Sequence, residues 1–281
     1  MASQKWIVLC AFLSLFTFMA KVRSSPTCLE EVIQQLEETL TALENVTSSV
    51  FLITRCNTDL SYFAAALKRN CTDLQKSGET GISGVYVINP DDDDPFYVYC
   101  DQKTDGGGWT VIQKRLDGSV DFEQGWADYK RGFGNLNGEF WLGLDKIHRL
   151  TKEGRNRIRI ELEDIEGKTA YAEYDMFAVA SENDKYRLRL GSYSGTAGDS
   201  FSFQRDAPFS TKDQDNDPDA RHCAVTFKGG WWYSTCHQAN LNGLYHHGTH
   251  KSHADGINWH HWKGDYYSAK RSEMKIRPAD F

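Results

Sequence analysis

The chain contains 281 residues, of which 13% are aromatic, and it includes eight Trp and 23 Gly. A chain of this size supports one sizeable hydrophobic core with a smaller appendage. The formal net charge is −7 at pH 7, and an acidic chain is a poor candidate for binding nucleic acid, whose phosphates attract basic proteins.

The N-terminus follows the pattern of a secretory signal peptide. Lys5 precedes an apolar run from Trp6 to Ala20, and small residues lead to Ser24. A membrane anchor is the alternative, but the run is shorter than the about 20 residues of a membrane-spanning helix. We therefore predict that residues 1–24 are cleaved and that the chain is secreted, with no membrane span. Cleavage removes three basic residues and no acid, which changes the formal charge from −7 to −10.

The cysteine count and two glycosylation sequons agree with secretion. Cleavage removes Cys10 and leaves six of the seven Cys, an even number that favours disulfides in an oxidising compartment. Asn45 and Asn70 each begin an Asn-X-Thr sequon, so both are predicted N-glycosylation sites.

Residues 28–70 have the heptad spacing of a coiled-coil stalk. The a positions are Leu29, Leu36, Leu43, Val50, Asn57 and Ala64, and the d positions are Val32, Thr39, Val46, Ile53, Leu60 and Leu67. Cys28 and Cys56 lie a whole number of heptads apart at g positions, where they are placed to link neighbouring chains of a homo-oligomer. An amphipathic helix folded onto the next domain is the alternative, because Thr39 and Asn57 interrupt the apolar seam.

Beyond Cys71 the composition changes to Gly, aromatic residues and short alternating runs. These runs predict an antiparallel β-rich domain with few helices over residues 71–281. They are VYVI, FYVYC, WTVIQKR, RIRIELED and TAYAEYDMF. The segment HHGTHKSH and the stretch beyond Ala254 have no sustained period, so we expect ordered loops there.

The stretch TKDQDNDPDARHC carries aspartates at alternate positions: Asp213, Asp215, Asp217 and Asp219. It is not an EF-hand, because Pro218 and Ala224 occupy the positions that require Gly and Glu. The carboxylates and carbonyls of one tight loop suit a hard cation, and Ca²⁺ fits an oxygen-only shell best. A solvated acidic turn is the alternative that composition leaves open.

Six histidines near the C-terminus raise the question of a zinc site. They are His246, His247, His250, His253, His260 and His261. Gly248 and the absent periodicity argue against the helix that would align them, so we expect neither structural nor catalytic zinc. There is no H-E-x-x-H motif, and GSYSG places Tyr where a nucleophile elbow requires Ser. No catalytic constellation is found, and we predict that the protein is not an enzyme.

From about Cys71 to its end the chain resembles the fibrinogen C-terminal domain family, over many motifs in one order. These motifs are SGVYVINP, VYCD, GGGWTVIQKR, FWLGLDKIHRLT, FSTKDQDND, WWYSTCHQANLNGLY and ADGINWHHWKGDYYSAKRSEMKIRP. The tail is most similar to ficolins and to microfibril-associated glycoprotein. The resemblance implies an α+β fold, in which a central antiparallel sheet carries a loop-rich C-terminal region for ligand and calcium.

The same resemblance implies a calcium site and a disulfide pattern. The side chains of Asp215 and Asp217 would bind the ion, together with the backbone carbonyls of Asp219 and Arg221, while Asp213 lies outside this shell. The implied intrachain pairs are Cys71 with Cys100 and Cys223 with Cys236, which leaves Cys28 and Cys56 for interchain bonds.

In lectin members of the family the surface beside the ion is a pocket for an acetyl group. The peptide Thr235-Cys236 is expected to be cis, so that the N–H groups of Cys236 and His237 meet the acetyl oxygen. The methyl group would lie among Phe227, His253 and Ala254, with the His237 ring at the edge. Many lectin members have Tyr where this chain has His253, and an imidazole becomes a cation as the pH falls toward about 6.5.

These features favour a secreted, calcium-dependent lectin for acetylated glycans of microbial or host surfaces, with a role in innate immunity. Several pockets on one stalk would add avidity to a weak single site. The alternative is a matrix or receptor ligand that uses the same domain for protein contacts.

Overall fold

The computed structural model describes residues 67–78 and 81–281. The signal peptide, Cys28, Cys56, the Asn45 sequon and most of the predicted stalk lie outside the described residues. Residues 67–70, which the heptad pattern includes, are not helical. Within the described residues, no helix has the length and apolar character needed to cross a membrane.

An antiparallel sheet of ten strands organises the described residues, in the order β1-β2-β3-β14-β6-β7-β8, with β4, β5 and β9 paired beside it. The long strands are β1 Gly84–Ile88, β2 Phe96–Asp101, β3 Trp109–Arg115, β6 Asn156–Glu163, β7 Thr169–Val179 and β14 Arg271–Pro278. The short strands are β4 Phe133–Gly134, β5 Phe140–Trp141, β8 Leu188–Leu190, β9 Tyr193–Gly195, β10 Ala239–Asn240, β11 Gly248–Thr249, β12 Asn258–Trp259 and β13 Tyr267–Ser268.

The five alternating runs are confirmed as β1, β2, β3, β6 and β7. In β6 buried and half-buried residues alternate along the whole strand, because one face packs on the core and the other carries charged side chains. β2 and β7 show the same alternation over most of their length, whereas β3 is buried throughout.

The expectation of loops beyond Ala254 is wrong for β14, which lies in the middle of the sheet between β3 and β6. The strand has no regular alternation because residues on both faces are buried, among them Lys275 and Arg277. Lys275 Nζ lies 2.6 Å from Asp101, 2.8 Å from Glu161 and 2.7 Å from Glu273. These carboxylates compensate the buried cation, so a lysine occupies a position where the sequence pattern would require an apolar residue.

Five short helices accompany the sheet: α1 Cys71–Lys76, α2 Trp126–Arg131, α3 Leu144–Thr151, α4 Cys223–Phe227 and α5 His260–Lys263. α3 packs against β7 through one apolar face, whose buried residues are Leu144, Ile147, Leu150 and Thr151. α1 begins after Asn70, whose side-chain oxygen accepts from the backbone N–H of Asp73. The predicted Cys71–Cys100 disulfide is present, and it joins α1 to β2.

Large aromatic side chains fill the core between the sheet and the C-terminal loops. Trp231, Trp232 and Tyr233 are fully buried, and the rings of Trp141 and Phe209 pack against Trp232. The Trp-Trp-Tyr run is therefore part of the core and not a stacking platform for sugars. Its burial anchors the loops that follow it, where the candidate site lies.

Candidate ligand and calcium site

Two short strand pairs and one disulfide shape the C-terminal loops. β10 pairs with β12, and β11 pairs with β13. The disulfide Cys223–Cys236, which the family resemblance implied, is present with a Cα–Cα distance of 5.3 Å. It ties the start of α4 to the loop after the Trp-Trp-Tyr run. The Asp loop, residues 213–221, and the predicted acetyl pocket are therefore joined by one covalent bridge.

Asp217 is the centre of the Asp loop. Its Oδ1 accepts from the N–H of Asp219 at 2.9 Å, and its Oδ2 accepts from the N–H of Cys223 at 3.0 Å. The Oδ1 of Asp215 in turn accepts from the N–H of Asp217 at 3.2 Å. Each aspartate thus bonds the backbone two residues further on, a pattern that curls the loop tightly.

The residues of this loop fit a hard cation. Burial, together with the hydrogen-bonded neighbour Asp215, raises the pKa of Asp217 to about 6. Two carboxylates held this close repel each other when both are ionised, and a bound proton or cation relieves the repulsion. Carboxylate and carbonyl oxygens are the ligands that Ca²⁺ prefers. Asp215 and Asp217 would hold the ion, and Ca²⁺ would supply the positive charge that keeps the loop in place.

The other two aspartates of the loop have different partners. Asp213 Oδ1 accepts from the N–H of Trp126 at 2.9 Å and from Thr211 Oγ1 at 2.7 Å, so Asp213 secures the start of α2. The carboxylate of Asp219 pairs with the guanidinium of Arg221 through two bonds of 2.8 Å. Because their side chains pair with each other, Asp219 and Arg221 could bind a cation only through their backbone carbonyls.

The predicted cis peptide at Thr235-Cys236 is wrong, since the described residues contain no cis peptide bond. Cys236 instead has a φ of 61°, and the N–H of Ser234 donates to the Cys236 carbonyl at 2.9 Å. The tight turn is made by Cys236, which has a left-handed backbone conformation and is bonded to Cys223, and the Thr235-Cys236 peptide is trans. The N–H groups of Cys236 and His237 have no hydrogen-bond partner among the described residues.

Aromatic rings form a wall beside these two donors. The Phe227 and His237 rings meet edge to face with centroids 4.5 Å apart, and Tyr233 lies 5.8 Å from His237. Both ring nitrogens of His237 are buried. Burial lowers the pKa of His237 to about 3. The imidazole therefore remains neutral across the physiological range and acts as an apolar wall.

Asn240 holds this wall in place, a role that sequence reasoning missed. Its Nδ2 donates to the carbonyls of Phe227 at 2.9 Å, Gly256 at 3.2 Å and Ala254 at 3.4 Å, and its Oδ1 accepts from Tyr233 at 3.0 Å. Asn240 is fully buried. In the sequence, the only indication of this role is a polar residue among the apolar neighbours of the Ala-Asn-Leu segment.

The structure brings Phe227, His237 and Ala254 together and places Thr235 and His253 at the edge of the site. The side chain of His253 is 60% exposed, and its Nε2 lies 3.7 Å from Asp265. Tyr266 packs edge to face on the His253 ring. Asp265 also contacts His260 Nδ1 at 2.9 Å. Neither Asp265 nor Tyr266 was predicted, because both follow a Lys-Gly pair that resembles an ordinary turn.

These observations define a binding domain whose site is built from loops, a disulfide and an acidic turn. The profile of the family "Fibrinogen beta and gamma chains, C-terminal globular domain" matches residues 67–279. The chain belongs to this family. Members with this domain are non-enzymatic binding proteins, and the chain is therefore not an enzyme.

Known relatives and a solved structure agree with this assignment. Ryncolin-4 of Cerberus rynchops is 53% identical over 211 residues, which cover 75% of this chain and 61% of that protein. Tenascin-R of Gallus gallus is 47% identical over 241 residues, which cover 85% of this chain and 17% of that protein. The fibrinogen-like globe domain of human ANGPTL2 is 43% identical, with a TM-score of 0.74 over 75% of this chain and 99% of that one.

Proposed function

We propose that this protein is a secreted lectin whose fibrinogen-like domain binds acetylated glycans with the support of calcium. One observation carries the proposal: among the described residues the N–H groups of Cys236 and His237 have no hydrogen-bond partner, and the neutral His237 ring packs against the Phe227 ring. An acetyl group has one carbonyl oxygen and one methyl group. Adjacent donors and an apolar wall match these two parts.

Calcium has a supporting role in this proposal. Asp217 accepts from the N–H of Cys223, so an ion on Asp215 and Asp217 stabilises the start of α4 and its disulfide to Cys236. Phe227 ends the same helix. The ion would therefore fix the position of the Phe227 wall relative to the N–H groups of Cys236 and His237, and it would not contact the ligand. Fibrinogen-like domains of the ficolin type commonly bind calcium.

The second candidate function is a matrix or receptor ligand that makes protein contacts. Exposed apolar side chains lie near the candidate site: Phe203 is 40%, Val225 42% and Tyr266 53% exposed. The carbonyl of Phe203 accepts from Ser234 Oγ, Val225 lies on α4, and Tyr266 packs on His253. Such residues favour a protein partner over a small sugar.

We expect the His253→Tyr variant to bind surfaces coated with N-acetylated sugars at least as well as the wild type at about pH 7.5. Tyrosine extends the aromatic wall for the acetyl methyl group, whereas the imidazole of His253 lies 3.7 Å from the Asp265 carboxylate. Surface plasmon resonance with calcium present measures both affinities. Weaker binding by the variant than by the wild type would show that this position does not form part of an acetyl wall.

We assign residues 1–24 to a signal peptide, 28–70 to an oligomerising stalk and 71–281 to the binding domain. Cys28 and Cys56 then link chains, and Asn45 and Asn70 carry glycans on the extracellular protein. Non-reducing electrophoresis should show covalent multimers for the wild type and monomers for the Cys28→Ser, Cys56→Ser double variant. Multimers that persist in the double variant would exclude this arrangement, whereas heptads alone would still permit non-covalent assembly.

A further inference from the structure

A cluster of His246, His250 and Asp255 lies outside the residues assigned to calcium or to the acetyl pocket. His246 Nε2 is 2.8 Å and His250 Nδ1 is 3.6 Å from the same oxygen, Asp255 Oδ1. The two imidazole rings stack with centroids 4.4 Å apart. Ser252 Oγ donates to this oxygen at 2.7 Å. Two nitrogens, one carboxylate and one hydroxyl therefore converge on one point near the surface.

We propose that this cluster is a binding site for a divalent transition metal, with Zn²⁺ or Cu²⁺ as the ligand class. The three ligand atoms lie within 4.8 Å of one another. In a tetrahedral zinc site bonds of about 2.0 to 2.2 Å place neighbouring ligand atoms about 3.3 to 3.6 Å apart. His250 Nδ1 lies at such a distance from Asp255 Oδ1, at 3.6 Å, and His246 Nε2 is closer, at 2.8 Å. Small side-chain movements complete the site, with Ser252 or water in the fourth position.

The local backbone is built to hold the two rings together. A Cβ atom at Gly256 would lie 3.0 Å from His250 Nε2 and 3.1 Å from His246 Cδ2, so this position makes room for both imidazoles. The His250 side chain is 4% exposed, Asp255 14% and His246 26%. The two rings are therefore held next to each other, and His246 is the most exposed of the three residues. The helix required by the sequence-based reasoning is unnecessary, because the β11–β13 pair and the following loop bring the ligands together.

The donor set selects the type of metal. Imidazole nitrogens favour Zn²⁺ and Cu²⁺ over Ca²⁺ and Mg²⁺, which prefer oxygen. Coordination through His250 Nδ1 places the ring proton on Nε2, which lies 3.3 Å from Asn258 Nδ2, itself a donor. This contact costs the same free energy for every metal, so the selection rests on the imidazole nitrogens. Calcium at the Asp loop and a transition metal at the histidines would thus occupy separate sites.

Two other acidic groups of the described residues are unsuitable for such a metal. Lys275 already occupies the centre of Asp101, Glu161 and Glu273, with Nζ within 2.8 Å of each. The group that contains Asp219 includes two cysteines bonded to each other, so no thiolate is present. In the histidine cluster the ligand atoms contact one another and Ser252, and neither a cation nor a disulfide occupies them.

A metal here would act on the loop that carries the edge of the acetyl pocket. His246 and Asp255 lie at the two ends of a segment that includes His253 and Ala254. A metal that joins these ends would restrict the segment and fix the position of the His253 ring. The site goes beyond the proposed lectin activity, and metal binding is measured without any sugar.

The test is calorimetric titration of Zn²⁺ alone into chelator-treated, full-length protein, with calcium in excess to fill the Asp loop. We expect one equivalent of Zn²⁺ to bind the wild type, with affinity at least about tenfold lower in His246→Gln and in Asp255→Asn. All nine histidines lie at or after residue 148, so the predicted stalk contributes none. Substitution of Co²⁺ should give the visible absorption of a tetrahedral N/O site.

His260→Gln is the matched control, because His260 is 45% exposed and contacts Asp265 outside the cluster. It should bind Zn²⁺ as the wild type does. Circular dichroism shows whether each variant is folded, and His246→Gln keeps the test valid if Asp255→Asn unfolds. The proposal fails if the wild type shows no saturable binding, if His246→Gln binds equally tightly, or if His260→Gln loses as much affinity.

Discussion

Replacing Asp217 with asparagine is expected to abolish the rise in melting temperature that calcium causes in the wild type. A ligand at about a hundred times its Kd stabilises a folded protein by about 2.7 kcal/mol, which for a domain of this size is about 5 to 10 °C. Asparagine keeps the shape of the side chain but removes one of the two charges that attract the ion. Differential scanning calorimetry with calcium and with chelator measures the shift, and Asp215→Asn should behave in the same way.

Asp213→Asn is the matched control for this experiment. Asp213 bonds Trp126 and Thr211 rather than the carboxylate pair, so the variant should melt earlier in both conditions and keep the full calcium shift. A shift reduced equally in Asp213→Asn, Asp215→Asn and Asp217→Asn would mean that the calcium ligands are assigned to the wrong aspartates. A full shift in Asp217→Asn would show that calcium does not bind to this loop.

The second large effect expected is a loss of stability in acid that depends on His237. Burial lowers its pKa from the ordinary value of 6.5 to about 3, so the unfolded chain binds a proton before the folded domain does. Stability is therefore lost as the pH falls from 6.5 toward 3, at up to about 1.4 kcal/mol per pH unit. Between about pH 6.5 and about pH 4.5 this group alone accounts for about 2 kcal/mol.

His237→Leu should remove that part of the acid slope, because leucine has a similar volume and does not titrate. Urea unfolding at several pH values, in chelator so that calcium release does not contribute, gives the free energy for each protein. The exposed His247→Leu variant is the control and should follow the wild type. Parallel pH curves for the wild type and His237→Leu would show that His237 protonates equally in the folded and unfolded states.

Much of the fold was predictable because strands with one buried face alternate apolar and polar residues along the sequence. β2 and β7 begin where the alternating runs begin, and both predicted disulfides of the domain are present. β14 was not predictable in this way. Its buried Lys275 depends on carboxylates from β2 and β6, which are far away in the chain, and no local pattern reports such a partnership.

The residues of the candidate site were predictable from the sequence, but their backbone conformation was not. The resemblance pointed to Asp217, Phe227 and His237, but the turn at Cys236 is made by a positive φ and not by a cis peptide. The sequence analysis rejected the histidines as metal ligands because it expected no helix there, whereas in the structure a loop brings His246, His250 and Asp255 together. Backbone torsions and loop closure arise from tertiary packing, so local propensity does not encode them.

The most direct test of the central claim is saturation-transfer NMR on the domain with N-acetylglucosamine, with glucosamine as the matched sugar that lacks the acetyl group. At about pH 7.5 with calcium present, we expect strong transfer to the acetyl methyl of N-acetylglucosamine, since Phe227 and the neutral His237 form its wall. Chelator should remove the signal, and glucosamine should give none. No transfer to the methyl group, or equal transfer to both sugars, would contradict the lectin assignment and favour the protein-contact function.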